Sequence, residues 1–75
     1  MTVEQIIGKV FHIDPSDLND SSTRESIDGW DSMGHLNLIL ELEAAFKVSI
    51  AIADAVEMVS VGRIKQSLRN YGVQC

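Results

Sequence analysis

Val3, Ile6, Ile7, Val10 and Phe11 fall at i, i+3, i+4, i+7 and i+8, which is one stripe of an amphipathic helix. Thr2 followed by Gln5 makes a capping box: the threonine hydroxyl can accept from the Gln5 amide while the glutamine side chain reaches back. A helix is therefore predicted from Val3 to about His12. Asp14-Pro15 ends it, because proline disfavours the helical region for the residue before it. Residues 13–31 then lose all periodicity, with Asp17, Asn19, Asp20, Ser21, Ser22, Thr23, Arg24, Glu25 and Ser26 in succession. This stretch reads as one long ordered loop pinned by Ile13, Leu18, Ile27 and Trp30. A loop of that length inside a compact domain is unusual and often has a functional reason.

The second helix is predicted from about Ser32 to Phe46, with Asp31 as its N-cap and the aspartate charge at the positive helix end. Leu38, Ile39, Leu42, Ala45 and Phe46 form a core stripe. Met33, Leu36 and Leu40 form a second apolar stripe on a neighbouring face. A helix apolar over more than half its circumference is either central in a bundle or partly exposed for a partner. Central packing is the simpler explanation, and both can hold in so small a chain. Ile50 to Met58 is a short, weak helical stretch. Ser60 then caps a last helix with Val61, Ile64, Leu68 and Tyr71 at helical spacing, and Gly72 follows as its C-terminal stop. The sum is an all-α fold, a small four-helix bundle with three longer helices, one short third helix and a long loop between the first and second.

Length limits the chemistry such a bundle can house. The 75 residues make one domain, residues 1–75, with no room for a second core. A core of this size supplies about 3–5 kcal/mol of stability, too little to carry a deep catalytic cleft with ease. Cys75 is the only cysteine, so an internal disulfide is excluded and a reducing compartment fits. It reads as an exposed tail residue with nothing to activate its thiol. The opening residues lack the basic start and apolar run of a signal peptide, and no stretch approaches the length of a membrane span. A cytoplasmic, monomeric protein is the expectation; the start at Met1 reads as a free-standing chain, with a domain cut from a larger synthase as the other reading.

Charge adds a second exclusion. The net charge is −5. Asp28, Asp31, Glu41, Glu43, Asp54 and Glu57 face a single Lys47 across residues 28–57, whereas Arg63, Lys65 and Arg69 make the C-terminal helix basic. An acidic body argues against nucleic acid, which requires a basic footprint. It suits basic protein partners, or simply keeps a small domain soluble.

Ser32 is the residue around which candidate chemistry gathers. His35 follows it within one helical turn, but a nucleophile and base also need an orienting acid and an oxyanion site. The sequence is not the Gly-x-Ser-x-Gly elbow, because Trp30 stands in the first glycine's place. His35 reads instead as a histidine at the core edge or surface, and His12 as one that interacts with the negative end of the first helix. The two histidines and terminal cysteine show no metal-ligand spacing. Asp17, Asn19, Ser21 and Asp28 approach a calcium-loop spacing, but Ser22 replaces the glycine of the turn and the last position is Asp, not Glu. There is no phosphate loop and no dinucleotide fingerprint. What remains is attachment: an exposed serine on a first helical turn sits in the positive field of the helix end, where a phosphodiester is favoured.

At this point the chain resembles the acyl carrier protein family. Trp30-Asp31-Ser32-Met33 is similar to its Asp-Ser-Leu attachment motif, with Met33 in the leucine position. The run Leu38-Ile39-Leu40-Glu41-Leu42-Glu43-Ala44-Ala45-Phe46 resembles the rest of the family's second helix. Ser60-Val61-Gly62 resembles the start of its last helix. The resemblance implies a carrier, not an enzyme, with a 4'-phosphopantetheine arm placed on Ser32 from coenzyme A by a phosphopantetheinyl transferase. It implies that an acyl or aminoacyl group rides on the arm as a thioester and is presented to loading and transferring enzymes. By the same resemblance, Leu38, Leu42, Ile50, Ala55 and Met58 border an interior that shelters an acyl chain. Asp31, Met33, Leu36, Asn37, Leu40 and Glu41 would meet the transferase and pathway enzymes.

The chain also departs from the fatty-acid carriers of that family. Gly34, Asn37 and Ala44 stand where those carriers commonly have acids, Ile52 and Val56 where polar or acidic residues are common, and Lys47 where glycine or an acid is frequent. These changes point to a specialised lipid, polyketide or related pathway whose enzymes rely more on apolar contact. Two other readings stay open from sequence: an unmodified helical interaction domain, and an aminoacyl or peptidyl carrier.

Overall fold

In the computed structural model, which describes residues 1–74, the first helix, α1 (Val3–Phe11), starts with its capping box in place. The Gln5 amide donates to Thr2 Oγ1 at 3.1 Å, and the Thr2 amide donates to Gln5 Oε1 at 2.8 Å. Val3, Ile6 and Ile7 are buried, and Val10 and Phe11 pack against the same core. His12 closes α1 in the left-handed conformation, its backbone amide donating to the Gly8 carbonyl. Cys75 lies outside the described residues.

The long connection contains two one-turn 3-10 helices, Pro15–Asp17 and Arg24–Ser26, where the sequence showed no period. Asp14 caps the first by accepting from the Ser16 amide at 3.0 Å. Ile27 and Trp30 are buried, and Ile13 and Leu18 pack against the core, so the four anchors expected from sequence all engage it. The connection also caps another helix. The amides of Val61 and Gly62, which open the last helix and have no intrahelical acceptor, donate to the carbonyls of Ser22 at 3.0 Å and Asp20 at 3.1 Å. An isolated antiparallel bridge between Thr23 and Ser60 extends this seam, and the Arg24 amide donates to the Val59 carbonyl at 2.9 Å.

The second helix, α2 (Ser32–Phe46), buries Gly34, Leu38, Ile39 and Leu42. Its two apolar stripes part company: Leu38, Ile39 and Leu42 enter the core, while Met33, Leu36 and Leu40 face outward at 71%, 55% and 54% exposure. Ala45 is exposed as well, contrary to its place in the expected core stripe; in the last turn the larger Phe46 makes the contact with the core. Lys47 ends α2 with φ 55°, a left-handed position that favours glycine.

The third helix, α3 (Ile52–Glu57), is shorter than the Ile50–Met58 stretch expected. The Ile50 amide is taken by Glu43 Oε2 at 2.8 Å and the Ala51 amide by Tyr71 Oη at 2.9 Å, so the chain stays extended until Ile52. Met58 has left the helix and is fully buried. The last helix, α4 (Val61–Asn70), buries Val61, Ile64 and Leu68. Ser60 Oγ accepts from the Arg63 amide at 3.1 Å. Gly72, at φ 84°, and Val73 donate back to the Arg69 and Leu68 carbonyls, each at 2.9 Å, in a Schellman closure. The described residues thus form an all-helical bundle, and no helix among them is long and apolar enough to cross a membrane.

One cation joins three elements. Lys65 of α4 reaches Glu4 of α1 at 2.7 Å and Asp20 of the long connection at 2.8 Å. The hydrogen bond from Lys65 holds the Glu4 carboxyl below its ordinary value, and the bonds to Asp20 and Glu4 raise the Lys65 ammonium above its own. The lowered Glu4 value contributes stability that is complete above the ordinary glutamate range and is lost as pH falls through and below it. The raised Lys65 value contributes stability that is complete below the ordinary lysine range and is lost as pH rises past it. Urea unfolding of Lys65→Met across pH should therefore show a plateau lowered by no more than about 1 kcal/mol and shallower acid and alkaline limbs. A variant profile running parallel to the wild type at both ends would contradict this assignment.

Candidate functional site

Trp30 sets the start of α2. Its side chain is 4% exposed and stacks on Phe11 of α1, with ring centroids 5.4 Å apart and planes 22° from parallel. Its carbonyl accepts from Arg24 Nε at 3.0 Å, and its indole N–H donates to His35 Nδ1 at 2.9 Å. The loop before the helix is thereby held from α1, from the second 3-10 turn and from α2 itself. Asp31 follows in extended conformation, its carboxylate accepting from the Gly34 amide at 2.8 Å. Ser32 is the first helical residue and is exposed. The amides of Ser32 and Met33 have no intrahelical carbonyl within reach, as at any helix start.

Gly34 belongs to this packing. A Cβ at that position would overlap the Gly29 carbonyl oxygen and stand 2.7 Å from the Phe11 ring. The glycine at this position is thus required by the close approach of the loop and α1.

Ser32 opens onto a groove of about 340 Å3 between α2 and α3. Leu36 and Leu40 of α2 and Ile52 and Val56 of α3 form its exposed walls, and Ile39, Ile50 and Ala55 its more buried part. Two polar side chains also line it, and both bond to the protein: Glu43 accepts from the Ile50 amide, and His35 bonds Trp30 and the Ala55 carbonyl. With both ring nitrogens so engaged, His35 is not poised as a base for Ser32.

The residues expected to shelter an acyl chain separate into two groups. Ile50 and Ala55 line the groove, whereas Leu38, Leu42 and Met58 are fully buried in the core. The residues expected to meet partners occupy two flanks of α2. Met33 is exposed beside Ser32, and Leu36 and Leu40 border the groove. Asn37, Leu40 and Glu41 line a second cleft of about 280 Å3 with Lys9 and Val10 of α1, where Lys9 and Glu41 pair at 3.0 Å. Sequence reasoning did not single out the Trp30–His35 bond or the contribution of Ile39, Ile52 and Val56 to the groove. The available signal was the i, i+4 spacing shared by Ile52 with Val56 and Leu36 with Leu40, two apolar pairs on facing helices.

The arrangement fits a phosphopantetheine arm. It has an exposed hydroxyl at a helix start, first-turn amides suited to a phosphate, and an apolar groove beginning at the same serine. The comparisons agree with that chemistry. The family model described as a phosphopantetheine attachment site matches residues 2–68. The fold is similar to the solution NMR structure of the holo acyl carrier protein from Geobacter metallireducens. The TM-score is 0.75 and the identity 28%, over 97% of this chain and 90% of that one. No curated protein sequence matches the chain significantly. A match over nearly the whole chain, on a fold that exposes a serine at such a helix start, establishes that it belongs to the phosphopantetheine-binding acyl carrier protein family, as a carrier with a 4'-phosphopantetheine group and not a catalyst.

Proposed function

We propose that Ser32 is the attachment residue and that residues 1–75 act as one carrier unit for an acyl group. The observation that carries this reading is the exposure of Ser32 on the first turn of α2, beside a groove whose walls are apolar. The Ser32 hydroxyl is the acceptor for the arm delivered from coenzyme A by a phosphopantetheinyl transferase. When bound, the arm supplies a terminal thiol that holds cargo as a thioester. The chain's own residues do the positioning. Asp31 caps the helix and fixes the backbone before the serine, Trp30 anchors that backbone to α1, and Gly34 lets the first turn lie against it. An aminoacyl group would bring an ammonium to a groove whose lining is mostly apolar, and would need a partner such as Glu43 to offset its desolvation. An apolar acyl chain needs no such partner, and this favours acyl cargo over aminoacyl cargo.

Partner choice follows from the same surface. Met33, Leu36 and Leu40 of α2 and Ile52 and Val56 of α3 place exposed apolar side chains around the attachment end, with Ile52 at 84% exposure. Asn37 and Ala44 leave the outer face of α2 without two of the acids common in fatty-acid carriers. Hence the enzymes served are those of a specialised lipid, polyketide or related pathway that dock chiefly by apolar contact.

Incubation with coenzyme A and a phosphopantetheinyl transferase should raise the intact mass by one phosphopantetheinyl group, and Ser32→Ala should abolish the gain. No gain with several transferases would support an unmodified interaction domain instead. For the partner reading, acyl transfer onto the free thiol of the arm-bearing chain by ordinary fatty-acid synthase enzymes should be at least about tenfold less efficient than onto their own carrier, the cost of about 1.4 kcal/mol of lost docking energy. Equal efficiency would overturn it.

A further inference from the structure

α3 buries none of its own residues completely, so the apolar contacts that secure α1, α2 and α4 do little for it. Hydrogen bonds tie its ends. At the start, Tyr71 Oη accepts from the Ala51 amide at 2.9 Å and donates to Asp54 Oδ2 at 2.5 Å. Farther along, the Ala55 carbonyl faces His35 Nε2 at 2.8 Å. This second tie crosses from α2 to α3 inside the groove, because His35 and Ala55 both line it.

The imidazole is held in one form by its two partners. A carbonyl oxygen only accepts and an indole N–H only donates. Nε2 must therefore carry the proton that bonds Ala55, and Nδ1 the lone pair that receives the Trp30 N–H at 2.9 Å. The ring also lies nearly parallel to the Trp30 indole, at 17° and 6.2 Å between centroids. Trp30 is itself locked on Phe11. A continuous line of contact thus runs from α1 through the loop that precedes Ser32 to the outer wall of the groove.

We propose that His35 is a positioning residue: held as its Nε2–H tautomer by Trp30, it latches α3 to α2 through Ala55 and so governs how cargo is covered in the groove beside Ser32. The cargo half of this proposal rests on the carrier reading given above; the latch half does not. Widening the groove at Ala55 must break the bond from Nε2, while Tyr71, bonded to Ala51 and Asp54, and the Glu57–Arg63 pair still tie α3 to α4. Trp30 sets the ring angle, so the latch is aligned by the same indole that anchors the loop carrying the attachment serine.

Two variants of the full chain separate this role from general packing. His35→Gln can place its amide nitrogen near the position of Nε2 and keep the bond to Ala55. His35→Asn ends at the level of Nδ1 and cannot reach it. Amide hydrogen exchange at Ala55 and Met58 should quicken about tenfold in His35→Asn, the effect of one lost hydrogen bond, and stay within about twofold of the wild type in His35→Gln. The amides of Ile64 and Leu68 should be unchanged in both. Equal exchange in the wild type and His35→Asn, equal loosening in the two variants, or loosening that includes α4 would overturn the latch. Nitrogen NMR of the wild-type imidazole gives a reading independent of any variant's folding: the Nε2–H form is expected, and the Nδ1–H form overturns the proposal. In chains carrying an octanoyl thioester on the arm, hydroxylamine should cleave the His35→Asn form about tenfold faster than the His35→Gln form. Equal cleavage alongside a loosened α3 overturns the control of cargo. A wild type that accepts no arm refutes the carrier reading, and the exchange comparison on the unmodified chain still decides the latch.

Discussion

The burial of one indole ring is the contact on which the rest of this small bundle depends. A tryptophan removes roughly 200 Å2 from water, worth about 5 kcal/mol before ordering costs. A core of this size supplies only about 3–5 kcal/mol net, so losing even part of this burial would remove a large share of the stability. Trp30 is 4% exposed, stacks on Phe11, accepts from Arg24 at its carbonyl and donates to His35 at its ring nitrogen. Each contact fixes a different neighbour. Two residues later the chain enters α2 at Ser32.

The long connection does structural as well as presenting work. Its carbonyls at Asp20 and Ser22 satisfy the first two amides of α4, while Ser60 satisfies the third. Lys65, one turn along α4, holds the same connection from the side through Asp20. A segment without regular period thus replaces the capping side chains that α4 would otherwise need. This explains how a loop of such length stays ordered in so small a bundle, and why the serine at its end has a defined position. The apolar side chains left outside, Leu36 and Leu40 against Ile52 and Val56, then form a groove beside α3, which buries none of its own residues and is tied to its neighbours by hydrogen bonds.

Much of this was legible in the residues because it is local. Thr2 with Gln5, Asp31, Ser60 and Gly72 each mark a helix end by chemistry that acts within four residues, and all four act where they stand in the chain. Helical spacing identified the core stripe of α2 at Leu38, Ile39 and Leu42, but left open whether the neighbouring stripe of Met33, Leu36 and Leu40 packs or stays exposed. Leu38 and Leu36 are equally apolar, and only the position of α1 and α4 around α2 sends one to the core and the other to solvent. The loop's caps on α4 come from backbone carbonyls, which leave no trace in residue identity. Gly34 resembled a change on a docking face until the Gly29 carbonyl and Phe11 ring beside it were visible. His35 stood out for its nearness to Ser32, yet its role depends on Ala55, which is distant in sequence and close only in the fold.

If Ser32 is the attachment residue, as proposed above, Trp30 sets the position in which it meets a transferase by fixing the loop before it. The most direct measurement is kcat/KM for arm transfer to Trp30→Leu, compared with the wild type at a temperature where circular dichroism shows both folded. A drop of at least about tenfold is expected, because small misplacements of a reacting group are costly. An unchanged kcat/KM in a folded Trp30→Leu chain would contradict the account.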